Sequence, residues 1–149
     1  MKISRGLSFI FLFFALVGFL DATYLTAQHF LGKVPPCLVT EGCSTVLTSK
    51  WSEIMGVPVS LIGAIYYVVI LLLTIAFLSS GKKIFLALAI YGTWVGFAAS
   101  IWFVGLQVFV IKDICFYCMI SAFSSTLLFI TGLILLKKSK KISSKNLLI

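Results

Sequence analysis

A chain of 149 residues that is 61% hydrophobic and 11% charged, with a mean hydropathy of +1.18, has too few polar groups to cover the surface of a water-soluble domain. Its net charge of +8 does not mark a nucleic-acid binder, because the lysines flank apolar runs and have no interleaved aromatic platform. The composition is that of a protein whose solvent is a lipid bilayer.

Crossing a hydrocarbon core about 30 Å thick takes roughly 20 apolar residues, and four stretches are long enough: about 7–28, 58–79, 84–110 and 114–136. The expected fold is an all-α membrane protein, a single domain over residues 1–149 built as a four-transmembrane-helix bundle. The polar stretch of about 29–57 is too short for a core of its own. It is expected as an outer loop carrying a short amphipathic helix that caps the bundle.

The basic start, Met1 to Arg5, followed by an apolar run resembles a secretory signal. The apolar pattern continues through Ala22, Tyr24, Leu25 and Ala27 with no small-residue cleavage site, so it is read as the first span. Asp21 lies about 14 residues along it, roughly 21 Å up the axis. An acid at that depth is a functional candidate, moving protons or holding the loop, unless it snorkels to the interface. His29 is read as an interfacial residue.

Pro35 and Pro36 end the helical run and stiffen the approach to Cys37. Gly42 is expected to permit a sharp turn before Cys43. From Ser44, a plausible N-cap, the residues Val46, Leu47, Trp51, Ile54 and Met55 recur at helical spacing, with Lys50 and Glu53 toward water. Gly56 would end that helix, and Pro58 would occupy the first turn of the second span.

In the third span Gly92, Gly96 and Ser100 share a face suited to close helix packing, and Trp94, Phe97 and Trp102 suit lipid contact. The fourth begins with Asp113 as the expected cap and then Cys115-Phe-Tyr-Cys118. After Leu136 the lysine-rich tail is expected to fray toward lipid headgroups.

Lys2, Arg5, Lys82, Lys83, Lys137, Lys138, Lys140, Lys141 and Lys145 are nine of the twelve basic residues, and all fall on one side of the predicted topology. The positive-inside rule makes that side cytoplasmic, with both termini there. All four cysteines then lie at the outer face, where disulfides persist.

A Cys-x-x-Cys pair at a helix start brings two sulfurs within bonding reach and exposes them to N–H groups that favour a thiolate. With Cys37 and Cys43 as a second pair on the outer loop, the chain has the parts to pass two electrons from an external dithiol to a lipid-soluble acceptor. Two purely structural disulfides are the bland alternative. A four-cysteine zinc site fits less well, since five residues separate Cys37 from Cys43 where about two to four are usual, so no metal is expected.

The runs Cys43-Ser-Thr-Val-Leu-Thr-Ser-Lys-Trp51, Gly56-Val-Pro-Val-Ser-Leu-Ile-Gly63 and Cys115-Phe-Tyr-Cys118 resemble the vitamin K epoxide reductase family, and more closely its bacterial members that oxidise periplasmic thioredoxin-fold proteins. The resemblance covers nearly the whole chain. It implies a four-helix bundle around a quinone, in a bacterial cytoplasmic (inner) membrane. It implies that Cys118 reacts with the quinone, that Cys115 is its partner, that Cys43 exchanges with Cys115, and that Cys37 meets the outside substrate. Ser49 matches a hydroxyl residue near the family's active centre, and Ser60 lies in the second run. Vertebrate members carry asparagine at the position of Val59 and tyrosine at that of Ala122, both proposed to hydrogen-bond the quinone. Cofactor contacts are accordingly expected from Ser49, Val59, Ser60, Ala122 and Asp21, with ubiquinone or menaquinone as the acceptor in place of the epoxide. Many relatives carry a fused thioredoxin-like domain, and its absence here implies a separate extracytoplasmic thioredoxin-fold carrier as partner.

The implied activity is a quinone-dependent thiol oxidase that regenerates the carrier's disulfide. Such a carrier sits near roughly −120 mV, where about 30 mV is worth 1.4 kcal/mol, so only a strong acceptor can reload it. The alternatives are reduction of vitamin K epoxide or quinone, and a non-enzymatic membrane subunit with structural disulfides. A second four-span disulfide oxidase family places Cys-x-x-Cys on its first loop and a wider pair on its second, the reverse of the order here.

Overall fold

The computed structural model describes residues 5–36 and 42–146. Five α-helices and one small hairpin follow each other along the chain: α1 (Arg5–Phe30), α2 (Gly42–Leu47), β1 (Glu53–Ile54), β2 (Val57–Pro58), α3 (Val59–Ser80), α4 (Lys83–Gly105), a π-helical segment (Leu106–Ile111) and α5 (Phe116–Asn146). Four of these helices are long and apolar enough to cross a membrane. They pack as a closed ring in chain order, α1 on α3, α3 on α4, α4 on α5 and α5 back on α1.

The core of the ring is Phe11, Ala15, Tyr67, Ile70, Ala89, Ile90, Leu128 and Leu135, all nearly inaccessible. Phe9, Phe13, Leu72 and Trp102 stay exposed on the outer faces. That is the reverse of a soluble protein and matches a bundle whose outer surface meets lipid tails. Thr26, Thr74, Thr93 and Thr126 turn their hydroxyls back onto carbonyls of the preceding turn, so no hydroxyl donor there is left bare in an apolar setting.

The turn joining α3 to α4 has Gly81 in the left-handed region at φ 66°, with its N–H bonded to the Phe77 carbonyl at 2.8 Å. This capped end lies opposite the end that carries the cysteines, so each span begins where the last one stopped.

Several local expectations change. The short helix of the outer loop runs only over Gly42–Leu47, so Ser44 sits inside it and is not its N-cap. The hydroxyls of Thr48, Ser49 and Ser52 bond the carbonyls of Ser44, Val46 and Ser49, closing successive turns in place of a continuing helix. Met55 and Gly56 then take φ values of 53° and 80°, the signature of a two-residue hairpin turn. β1 and β2 pair antiparallel across it, Ile54 opposite Val57. Turn chemistry thus overrides the helical spacing of Trp51, Ile54 and Met55.

Pro58 ends β2 and precedes α3 in extended conformation, φ −64° and ψ 134°, and so caps the second span from outside its first turn. The third span is α-helical only to Gly105 and finishes as a π-helix. α5 begins at Phe116 and continues through the lysine-rich segment to Asn146, which contains no glycine or proline after Gly132 to stop it.

Candidate functional site

The site is built at the end of the bundle where α2, the π-helical segment and the start of α5 meet. Cys43 and Val46 on α2 form a small buried cluster with Cys115, flanked by Leu47, Ile111, Phe116, Tyr117 and Cys118. Cys43 is 1% exposed and Cys115 0%. Cys43 is held in a disulfide, whereas Cys115 and Cys118 are free thiols. An oxidised sulfur of the loop is therefore packed in one apolar cluster with a reduced Cys-x-x-Cys pair. Cys37 lies outside the described residues.

Gly42 brings α2 into that position by close approach. It is not the sharp turn that its sequence suggests. A Cβ at Gly42 would stand 2.7 Å from the Ile114 carbonyl oxygen and 2.9 Å from the Ile114 nitrogen, a distance at which one backbone would have to move.

Cys115 itself, in place of Asp113, occupies the N-cap position of α5: its carbonyl accepts the N–H of Met119 at 3.1 Å. Its sulfur consequently faces the free N–H groups of the first turn. Its thiol is drawn down from an ordinary 9.0 to about 7, first by a hydrogen bond from the Cys118 side chain, opposed by burial, and helped by the backbone N–H groups of Cys118 and Tyr117. The first turn thus favours the thiolate through hydrogen bonds, with no lysine or histidine among the causes.

Gln107 completes this corner. It is 3% exposed, and its side-chain oxygen accepts the Cys115 N–H at 3.0 Å. The π-helical register of Leu106–Ile111 carries Gln107 in this segment, a use of π-turns that recurs at functional sites. Leaving that buried N–H bare would cost about 1–3 kcal/mol. Sequence reasoning missed Gln107, yet an amide inside an apolar run needs a partner, and that was the available signal.

Tyr117, between the two cysteines, donates from its hydroxyl to the Pro36 carbonyl at 3.3 Å and packs on Tyr24 with ring centroids 5.4 Å apart. Farther out, His29 Nε2 stands 3.3 Å from Glu53 Oε1, tying the end of α1 to the hairpin. His29 is therefore a structural contact of the outer crown.

Beneath the thiols a cavity of about 850 Å³ opens into the bundle, lined among others by Asp21, Ser49, Val59, Ser60, Tyr66, Tyr67, Gln107, Cys118, Ser121, Ala122 and Ser125. Every residue expected to contact a cofactor lies on its wall. Val59 and Ala122 contribute only alkyl groups. Ser49 spends its proton on the Val46 carbonyl at 2.7 Å.

The cavity holds three polar atoms without a hydrogen-bond partner among the described residues: Asp21 Oδ2, Tyr66 OH and Ser125 Oγ. The Asp21 carboxyl is within electrostatic reach of Cys115 and Tyr67. Tyr67, in contrast, is anchored, donating from its hydroxyl to the Ser121 carbonyl at 2.8 Å. Its ring lies against Gly18, where a Cβ would come within 2.2 Å of it. Tyr66, Tyr67, Ser121 and Ser125 were not singled out in the sequence, since nothing local marks which face of a uniformly apolar helix turns inward.

An apolar cavity of this size with a few convergent polar atoms and a free thiol on its wall suits a flat, lipid-soluble ring bearing hydrogen-bond acceptors. The residues present therefore fit a quinone: the hydroxyls of Tyr66 and Ser125 offer donors, Ala122 offers room, and the Cys118 thiol lies on the same wall. No curated protein matches the sequence. The model of the vitamin K epoxide reductase family matches residues 9–133, a segment holding all four spans' apolar cores, the outer loop and the four cysteines. The chain is a multi-pass membrane oxidoreductase belonging to the vitamin K epoxide reductase family.

Proposed function

We propose that the chain is a dithiol:quinone oxidoreductase that restores the disulfide of an extracytoplasmic thioredoxin-fold protein. The observation that carries the reading is the burial of disulfide-bonded Cys43 against free Cys115 at the mouth of a cavity that Cys118 lines. Thiol–disulfide exchange needs a thiolate and a disulfide in direct apposition, and this corner supplies both.

In this reading Cys37 and Cys43 form the loop disulfide. A carrier dithiol reduces it, attacking at Cys37, and leaves as the carrier disulfide. Cys43 thiolate then attacks Cys115 of an oxidised Cys115–Cys118 pair and releases Cys118. Cys37 resolves the Cys43–Cys115 bond, restoring the loop disulfide and leaving the dithiol at the head of α5. A disulfide at Cys43 with free thiols at Cys115 and Cys118 is the arrangement this step would leave, which supports the reading.

A bound quinone would supply a two-electron, two-proton acceptor, so that closure of the Cys115–Cys118 bond is balanced by one quinol. Cys118 faces the cavity and gives up the electron pair; Cys115, already drawn toward the thiolate by the first turn of α5, displaces at Cys118 and forms the S–S bond. Asp21, with an unpartnered oxygen near the thiols, takes up and passes on the protons they lose. The basic ends of the spans support a topology with the cysteines on the outer face of a bacterial cytoplasmic membrane. Reduction of an epoxide is not favoured, because Val59 and Ala122 present no polar side chain to the cavity.

The reading is tested with purified protein, a reduced thioredoxin-fold carrier and a short-chain ubiquinone or menaquinone, followed at the quinone absorbance. Wild-type protein is expected to turn over. Cys115→Ala and Cys118→Ala should lose activity by at least about a thousandfold, as for removal of a nucleophile or its resolver, and Asp21→Asn should slow quinone reduction while sparing exchange with the loop pair. Turnover in either cysteine variant at the wild-type rate refutes the mechanism.

A further inference from the structure

Two of the three unpartnered polar atoms in the cavity belong together. Tyr66 on α3 lays its hydroxyl against Gly96 on α4, where a Cβ would come within 2.2 Å of that oxygen and 2.9 Å of Ser125 Oγ on α5. Three helices thus converge on one point, and the two hydroxyls delivered there stand near enough to act on each other, yet neither has a well-formed hydrogen bond among the described residues. Ser125 is 2% exposed, and the Tyr66 oxygen is buried as well. A buried hydroxyl without a partner costs free energy, so a pair of them aimed into one cavity indicates a ligand acceptor that completes them.

Register along α5 says which acceptor. Cys118, Ala122 and Ser125 follow at i, i+4 and i+7 and so share one face, with Ser125 about 10 Å along the axis from Cys118. A para-quinone ring fills such a gap, with a hydrogen bond of about 2.8 Å at one carbonyl and van der Waals contact of about 3.5–4 Å with the Cys118 sulfur at the other end. Ala122, between them, leaves the width for the ring. Resting on the quinone reading above, we infer that the Tyr66 and Ser125 hydroxyls bind the quinone carbonyl distal to Cys118, and so fix the ring with its proximal edge at that thiol. The clamp comes from residues other than Val59 and Ala122. Gly96 is its third element, because any side chain there would displace the Tyr66 hydroxyl.

The test measures binding, not turnover. Purified protein is titrated with decyl-ubiquinone and with menadione by tryptophan quenching, and the carbonyl stretch of carbonyl-labelled quinone is read by infrared difference spectroscopy. Tyr66→Phe keeps the ring and removes only the hydroxyl. It and Ser125→Ala should each weaken binding by roughly three- to tenfold and shift one carbonyl band back toward its value in apolar solvent. Gly96→Ala should do the same through displacement of Tyr66. Binding and carbonyl bands in Tyr66→Phe and Ser125→Ala that match wild type would overturn the clamp and leave the quinone reading standing. Failure of wild-type protein to bind either quinone would overturn that reading, and the clamp with it.

Discussion

In the proposed relay Cys115 is the residue on which exchange and quinone reduction meet, and its chemistry is set by position. As the N-cap of α5 it receives the Cys118 hydrogen bond and the first-turn N–H groups that draw its thiol to about 7. The shift is downward, so the thiolate is the favoured form above that value and is lost as pH falls through it. The rate at which Cys115 re-enters exchange with the loop disulfide should rise with pH and level off with a midpoint near 7. In Cys118→Ala, which removes the largest cause, the midpoint should move up toward the ordinary thiol value of 9.0. Alkylation kinetics of the fully reduced proteins, followed by mass spectrometry, check both, and identical midpoints in the two proteins would remove Cys118 from the explanation. At this scale the sequence was informative where chemistry is written in residue type. The four cysteines and an acid deep in an apolar span are visible without coordinates. Tyr66 and Ser125 are not, because their meaning arises only when α3, α4 and α5 converge, and Gln107 acquires its role from a π-turn that spacing does not announce.

The elements around the site show where local signals compete. The four spans were legible because length and apolarity leave few alternatives in a bilayer. The outer loop was legible only in part: a short helix exists, but Ile54 and Met55, which fit a helical face, are taken up by a hairpin whose turn needs left-handed residues at Met55 and Gly56. Gly42 carries the element-scale prediction. Its backbone abuts Ile114 so closely that Gly42→Ala must push α2 off the head of α5, carrying Cys43 from Cys115. Carrier-driven quinone reduction should fall by on the order of ten- to a hundredfold, as misplacement of about 1 Å can cause. Reduction driven by dithiothreitol, which reaches the Cys115–Cys118 pair directly, should fall much less. Parallel assays with the two reductants decide it, and an equal loss would mean that α2 supports the fold instead of the relay.

Across the whole molecule, the ring of four spans divides labour between its ends. One end closes with the tight Gly81 turn; the other gathers the hairpin, α2, the π-segment and the cysteines above a cavity that descends between the helices. Small residues at Gly18 and Gly96 admit the rings of Tyr67 and Tyr66, so helix packing and the cavity's polar wall come from the same positions. The central claim is that electrons pass from the loop to α5 through Cys43 and Cys115. Cys37 and Cys118 are the two thiols that can open a Cys43–Cys115 bond, so removing Cys118 leaves a single route out and should let the mixed disulfide accumulate, because its lifetime depends on the resolving thiols present. Non-reducing peptide mass spectrometry of Cys118→Ala, purified from membranes under acid quench, tests it most directly. The account predicts a Cys43–Cys115 disulfide as the main cross-link, and a main product joining Cys37 to Cys115, or partner protein attached to Cys115, would contradict it.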